Sequence, residues 1–132
     1  MAPRERPATT VEALVASARD QLDRLSPESA FGAASNGSVL VDIRSETQIH
    51  RDGRIPGAAV VPRNVLEWRL DPACPDRDPE LARPGRQVIV ICNEGYQSSL
   101  AAATLRRFGL DATDVIGGAQ AWRDAGLPLE RA

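Results

Sequence analysis

The stretch VIVICNEGYQSS (residues 88–99) runs from apolar residues through a cysteine into a short polar segment that ends in two serines. The apolar part belongs to QVIVIC (87–92), which predicts a buried strand. The alanine and leucine content of SSLAAATLRRFG (98–109) predicts a helix, with Gly109 placed to end it. Cys92 is therefore predicted at the end of a strand, where it is either a small core residue or a nucleophile.

Strands and helices alternate along the rest of the chain. Apolar spacing from Val11 to Leu25, with a Thr9–Glu12 capping box, predicts a first helix, and Ser26 followed by Pro27 predicts the start of a second. Further strands are predicted at SVLVDI (38–43), GAAVVP (57–62) and TDVIGG (113–118), and further helices at ETQIHRD (46–52), RNVLEWRL (63–70) and AQAWRDAG (119–126). Because the strands are almost wholly apolar, we expect an α/β fold with a mostly parallel central sheet and helices on both faces.

The domain organisation follows from the length of 132 residues, which is that of one ordinary domain. The first eight residues contain two prolines and alternating charge, and they are predicted to form a flexible tail. Residues 9–132 are predicted to form a single domain that includes the N-terminal helices. Those helices either cover the sheet or form a dimer surface, and the oligomeric state stays open.

Composition excludes several kinds of function. All 16 basic residues are arginines, so chemistry that needs a lysine amine is excluded. The net charge of −2 without a basic stripe indicates that nucleic acid is not a partner. No apolar run has the length of a signal peptide or of the roughly 18 residues that a membrane span needs. We therefore expect a soluble, cytoplasmic protein without a membrane partner.

The remaining reactive side chains are few. His50, the only histidine, lies among charged residues and is predicted to be on the surface. Cys74 and Cys92 match neither metal-ligand spacing nor a disulfide framework, so no metal is expected. Cys74 lies in a Pro- and Asp-rich connection and is predicted to be an incidental loop residue.

A reactive Cys92 would need neighbours that stabilise a thiolate, because an unperturbed cysteine is only a few per cent ionised at neutral pH. A helix that begins near Ser98 would direct its free amides and its positive end at the sulfur. A tight loop over residues 93–97, relaxed by Gly95, could turn its backbone N–H groups inward as an anion nest. Such a loop turns its side chains outward, so we expect Glu94 to point away from the sulfur.

Four segments resemble the rhodanese, or sulfurtransferase, family, and the resemblance extends over Val39 to Leu127. In chain order they are VLVDIR (39–44), DGRIPGA (52–58), CNEGYQSS (92–99) and VIGGAQAW (115–122). The second resembles the family's Gly-His-Ile-Pro-Gly-Ala turn, with Arg54 at the histidine position. The third stands where the family keeps its catalytic cysteine loop.

The resemblance implies a rhodanese-like fold and a double displacement without metal or organic cofactor. Cys92 would take sulfane sulfur from a donor, thiosulfate or a thiol or protein persulfide, and pass it from a persulfide to a thiol or cyanide acceptor. The loop residues predicted to bind the substrate are Asn93, Glu94, Gly95, Tyr96, Gln97 and Ser98. The alternative is a non-catalytic rhodanese-like module that binds a partner or senses persulfide or oxidant through the same thiol.

The loop departs from the family pattern at Gln97, where thiosulfate-using members commonly have an arginine. An amide supplies no charge to hold a dianion, and Glu94 makes the loop net negative. We therefore hypothesise that thiosulfate is a poor donor and a less charged persulfide a better one, unless Arg63 or Arg69 reaches the site. Related phosphatases need an arginine at the position of Ser98, which weighs against that activity.

One charged pair and two tryptophans are predicted to have structural rather than catalytic roles. Asp42 and Arg44 are predicted to form a structural ion pair rather than a catalytic one. Trp68 and Trp122 are predicted to serve packing within their helices.

Overall fold

Four short parallel strands form the centre of the fold. The computed structural model describes residues 7–132, so the first six residues of the predicted tail lie outside the described residues. The strands are β1 (Val39–Asp42), β2 (Ala59–Val60), β3 (Val88–Ile91) and β4 (Ala112–Asp114), in the order β2-β1-β3-β4. The predicted α/β class with a parallel sheet is confirmed.

Six α-helices and one 3₁₀ helix accompany the strands in the described part of the chain. They are α1 (Val11–Arg19), α2 (Pro27–Ser35), α3 (Glu46–Asp52), a 3₁₀ helix (Arg63–Val65), α4 (Leu66–Leu70), α5 (Gln97–Arg106) and α6 (Gly118–Asp124). The cap predicted at Ser26 is confirmed, and Ser45 with Gln48 forms a capping box at the start of α3. None of the helices within residues 7–132 combines the length and the apolar character that crossing a bilayer requires.

The first helix differs from its prediction at both ends. Thr10, not Thr9, is the N-cap, and its hydroxyl accepts a hydrogen bond from the Ala13 amide at 3.1 Å. The helix ends at Arg19, before the predicted limit at Leu25. Backbone hydrogen bonds of Leu25 with Asp114 (3.0 Å) and Ile116 (2.8 Å) draw the chain alongside β4, and this pairing replaces further helical turns.

The sheet buries hydrophobic side chains on both faces. Alternate strand residues point to opposite faces because the side-chain period of a strand is two. One face packs against α4 and α5 and contains Val41, Val88, Val90, Leu66, Leu70 and Leu105. The other packs against α2 and α6 and contains Leu40, Ile89, Ile91, Ala30 and Trp122. Cys92, which follows β3, contributes to the first of these clusters.

The two tryptophans have different environments. Trp122 is 1% exposed, forms an edge-to-face contact with Phe31 at 5.8 Å and donates its indole N–H to the Pro128 carbonyl at 2.9 Å. Its predicted packing role is confirmed. The same prediction for Trp68 is wrong, since that side chain is 57% exposed. Leu66 and Leu70, four residues apart, occupy the buried face of α4 and leave Trp68 toward solvent.

Replacing Trp122 with alanine tests this difference. We expect Trp122→Ala to lower the free energy of unfolding by about 3–5 kcal/mol, because it opens a cavity between α2 and α6. The matched Trp68→Ala variant should stay within about 0.5 kcal/mol of the parent. Urea denaturation followed by circular dichroism measures both, and equal losses in the two variants would contradict the assignment.

Candidate active site

The loop between β3 and α5 surrounds the sulfur of Cys92. Sγ accepts hydrogen bonds from the backbone amides of Gly95, at 3.1 Å, and Ser98, at 3.3 Å. The side chain is largely buried, yet Cys92 lines a pocket of about 280 Å³ that opens beside it. Two inward-directed amides therefore contact the sulfur, which faces a pocket that can accommodate a small group.

The predicted substrate-binding residues fall into two groups. Gly95 and Ser98 are buried and direct their amides at the sulfur. The other four line the pocket beside Cys92 and are Asn93, Glu94, Tyr96 and Gln97. Glu94 is exposed, as a loop that turns its amides inward requires.

Two more amides of the loop are available to a ligand. Among the described residues, the N–H groups of Tyr96 and Gln97 have no hydrogen-bond acceptor. They stand at the first turn of α5, whose ten residues place a partial positive charge at this end. The pocket therefore combines free donors with a favourable field for a negatively charged sulfur.

Gly95 allows the loop to turn so tightly. Its φ of +87° lies in the left-handed region, and a Cβ there would stand 2.7 Å from the backbone nitrogen of Gly117. Both the conformation and the close approach therefore require glycine.

A buried carboxylate at the end of β4 supports the loop from beneath. Asp114 accepts hydrogen bonds from the hydroxyls of Ser98 and Ser99, each at 2.7 Å to Oδ2. Arg24 pairs with the same carboxylate through two nitrogens, at 2.8 Å to Oδ1 and 3.2 Å to Oδ2. These bonds fix the first residues of α5 and with them the amide of Ser98. Sequence reasoning missed Asp114, although a carboxylate in an otherwise apolar strand is a usable signal.

The outer side of the loop is held by arginines from the N-terminal segment. Arg19 and Arg24 both donate to the Gly95 carbonyl, at 2.8 and 3.0 Å. These residues were also missed, because no local pattern marks an arginine as the partner of a distant carbonyl.

The start of α6 supports the other end of the loop. The amides of Ala119 and Gln120 donate to the carbonyls of Cys92 (2.8 Å) and Asn93 (3.1 Å). The Gln120 side chain donates to Asn93 Oδ1 at 3.0 Å and to Asp52 Oδ2 at 3.2 Å. The hydrogen bond from Arg51 holds the pKa of the Asp52 carboxyl below its usual value, so Asp52 remains an acceptor at neutral pH.

A larger cavity of about 880 Å³ adjoins the pocket of Cys92. Arg44, Gln48 and Gln97 line both spaces, so the two lie side by side. Arg44 forms a buried pair with Asp42 at 2.7 Å and donates to the Gly53 carbonyl at 3.0 Å, as a structural ion pair does. Its Nη1 has no hydrogen-bond partner among the described residues.

Arg63 and Arg69, which were considered as sources of the charge missing at position 97, interact with other groups. Arg63 lines the larger cavity but pairs with Glu67 at 2.7 Å. Arg69 lines neither cavity and donates to the Asp76 carbonyl at 2.8 Å. Neither residue lies beside the sulfur.

The other reactive side chains lie apart from Cys92. His50 is exposed, as predicted, and lines only the larger cavity. Cys74 is partly exposed, and both cysteines are free thiols. Within the described range of 7–132, no three histidine, cysteine or acidic side chains group in a way that could hold a metal ion.

Comparison with known proteins shows the family to which the chain belongs. Residues 26–125 match the Rhodanese-like domain family, and the chain therefore belongs to that family of sulfurtransferases and related domains. The thiosulfate sulfurtransferase GlpE of Pseudomonas entomophila (strain L48) is 31% identical over 104 residues, covering 78% of this chain and 86% of that protein. The GlpE of Pseudomonas syringae pv. syringae (strain B728a) is 30% identical, with 78% and 89% covered.

A solved structure resembles the chain over nearly its whole length. It is a Rhodopseudomonas palustris CGA009 protein of unknown function, described as a possible tyrosine phosphatase. It superposes with a TM-score of 0.86 at 32% identity, covering 97% of this chain and 99% of that one.

The contact between α6 and the loop provides a test of the site's architecture. Gly118 has a φ of +61°, and a Cβ there would lie 2.5 Å from the Cys92 carbonyl oxygen. Gly126 has a similar φ of +73° but no atom within 4 Å of its Cβ position. Gly126→Ala should therefore cost about 1–2 kcal/mol for the left-handed backbone alone. Gly118→Ala should cost a further ~1–3 kcal/mol, because the loop must move.

Urea denaturation of the two variants isolates the steric contribution of the loop contact. Alkylation of Cys92 should change in rate only in Gly118→Ala. Indistinguishable stability and alkylation rates in the two variants would show that α6 does not hold the loop in place.

Proposed function

We propose that the protein is a rhodanese-type sulfurtransferase that carries sulfane sulfur as a persulfide on Cys92. The observation that carries this proposal is the position of Sγ between the Gly95 and Ser98 amides, at the start of α5 and beside an open pocket. Preorganised amides stabilise negative charge on sulfur in the attacking thiolate, in the persulfide and in the transition state between them.

The reaction balances without an oxidant, a reductant or a cofactor. The Cys92 thiolate attacks the sulfane sulfur of the donor, a new S–S bond forms, and the donor's remaining part leaves with the electrons of the broken bond. An acceptor thiolate or cyanide then attacks the outer sulfur, and Cys92 leaves as a thiolate. The free amides of Tyr96 and Gln97 are placed to donate to the outer sulfur.

The surroundings of the pocket favour a weakly charged donor. Among residues 7–132, Arg44 is the only basic residue that lines the pocket of Cys92, and its charge is balanced by Asp42. Gln97 is neutral and Glu94 is negative, so a thiosulfate dianion lacks a counter-charge there. The adjoining cavity of about 880 Å³ has room for the body of a thiol, in the size range of small-molecule sites. The preferred donor is therefore a persulfide on a small thiol or on a partner protein.

The phosphatase activity suggested for the Rhodopseudomonas palustris relative fits this chain less well. A phosphoryl dianion is held by a bidentate guanidinium, and Ser98 stands where the related phosphatases have arginine. The Ser98 hydroxyl donates to Asp114 and its amide donates to Cys92 Sγ, so both polar groups of this residue support the geometry around the sulfur.

Mass spectrometry of the intact protein tests sulfur loading. After exposure to a low-molecular-weight persulfide, wild type and Cys74→Ser should each gain the mass of one sulfur atom that dithiothreitol removes. Cys92→Ser should gain none, because it lacks the reacting thiol. Wild type that never gains sulfur would leave the non-catalytic binding or sensing module as the function.

Substitution of Gln97 tests which class of sulfur donor the site prefers. Gln97→Arg places a cation at the mouth of both cavities and should raise kcat/KM for thiosulfate about tenfold, since hydrogen bonds to charged groups contribute about 1.5–3 kcal/mol. Gln21→Arg, the same substitution on an exposed residue outside both cavities, should leave kcat/KM unchanged.

The kcat/KM for a persulfide donor should change little in either variant. A wild-type kcat/KM for thiosulfate already as high as that for the persulfide would contradict the assigned donor class.

A further inference from the structure

The N-terminal segment contributes an arginine pair to a loop that lies more than seventy positions away. Arg19, the last residue of α1, and Arg24, in the connection to α2, both donate to the Gly95 carbonyl. Arg19 also donates to the Ser99 hydroxyl at 3.1 Å, and its guanidinium lies 5.3 Å from the centre of the Tyr96 ring. Both arginines precede residue 26, where the family match begins.

The bonded carbonyl determines where the next amide points. No described peptide bond is cis, and in a trans peptide the N–H lies opposite the C=O. The Gly95 carbonyl faces the arginines, so the Tyr96 N–H of the same peptide faces away from them. Tyr96 lines the pocket of Cys92, and this amide has no acceptor among residues 7–132. The arginines thus orient a peptide whose free donor serves the pocket.

The two arginines differ in their charge balance. Arg24 is paired with the Asp114 carboxylate at 2.8 Å, so the pair is neutral. Arg19 has no carboxylate partner in the described part of the chain and remains a net positive charge behind the loop. A cation on a carbonyl oxygen polarises the peptide and strengthens the donor at its other end.

We propose that Arg19 is a positioning residue that supplies, through the Gly95–Tyr96 peptide, the positive charge that this loop lacks at position 97. This inference rests on the proposed sulfur transfer by Cys92, and it assigns a part in that reaction to the segment before the family domain. The charge acts on the thiolate and on the persulfide from behind the loop, while Gln97 adds no charge on the pocket side. A loop built in this way stabilises charge on sulfur without attracting dianionic donors to its mouth.

The test uses the full chain with Cys74→Ser, which leaves Cys92 as the only thiol. The first measurement is the rate constant for alkylation of Cys92 by iodoacetamide at pH 7, a neutral reagent that Arg19 does not steer. The second is the single-turnover rate of sulfur loading from a low-molecular-weight persulfide. Arg19→Gln, which keeps an amide donor but removes the charge, should lower both rates about fivefold, the size of a partly exposed charge interaction.

Two further variants separate charge from structure. Arg19→Lys keeps the charge and one donor, and it should retain both rates within about twofold of the parent. Arg107→Gln removes the same charge from an exposed residue just beyond the other end of α5, and it should change neither rate. Thermal unfolding confirms that each variant is folded.

The outcomes also separate this inference from the proposed function. Equal rates in Arg19→Gln and Arg107→Gln, or equal losses in Arg19→Lys and Arg19→Gln, would overturn the role of the Arg19 charge. A wild type that never loads sulfur, with the alkylation differences intact, would overturn sulfur transfer and leave the effect of Arg19 on the thiol in place.

Discussion

The buried carboxylate of Asp114 joins the three parts of the molecule on which the site depends. It ends β4, accepts both serine hydroxyls of the first turn of α5, and pairs with Arg24 from the N-terminal segment. A fully buried carboxylate is costly to desolvate, and its cost is offset only when every oxygen finds donors in good geometry. Oδ1 receives Arg24 Nε, and Oδ2 receives two hydroxyls and Arg24 Nη2. The requirement to satisfy this one group therefore fixes the position of Ser98, whose amide in turn contacts the sulfur.

Charge around Cys92 is arranged in layers. Next to the sulfur are amide dipoles, which add no net charge and do not attract a dianion to the pocket. Behind the loop lie the neutral pair of Arg24 with Asp114 and the unbalanced Arg19. The pocket itself is lined by neutral Gln97, by exposed Glu94 and by Arg44, whose charge Asp42 balances. For the proposed transfer, this arrangement would stabilise a negative sulfur from within without assisting the approach of doubly charged donors, because a charge acts most strongly on what lies closest to it.

The parts of the site that are local in sequence could be predicted, and the parts that are distant could not. The passage from an apolar strand through Cys92 into a helix follows from periodicity and composition, and Gly95 marks the turn that aims the amides. The support from Arg19 and Arg24 joins residues 76 and 71 positions apart and leaves no local pattern. The end of α1 was predicted too late for a related reason, since pairing of Leu25 with the edge of β4 overrides helical spacing. Trp68 was misassigned because only the packed structure shows which face of a short helix is buried.

The burial of Cys92 limits how sulfur can enter and leave. Cys92 is only 5% exposed and lines the pocket beside it, so in the proposed transfer a donor approaches Sγ through that pocket, with its reacting sulfur at the end of an extended group. A persulfide terminus meets this requirement, because its outer sulfur has no substituent beyond a proton. In the proposed persulfide, the transferred sulfur would lie in the pocket near the free amides of Tyr96 and Gln97. In the second step of the proposed transfer, an acceptor that enters from the adjoining cavity would meet the outer sulfur before Cys92 itself. In the proposed transfer, burial of Sγ thus directs the acceptor to the outer sulfur, and this attack breaks the S–S bond that joins that sulfur to Cys92.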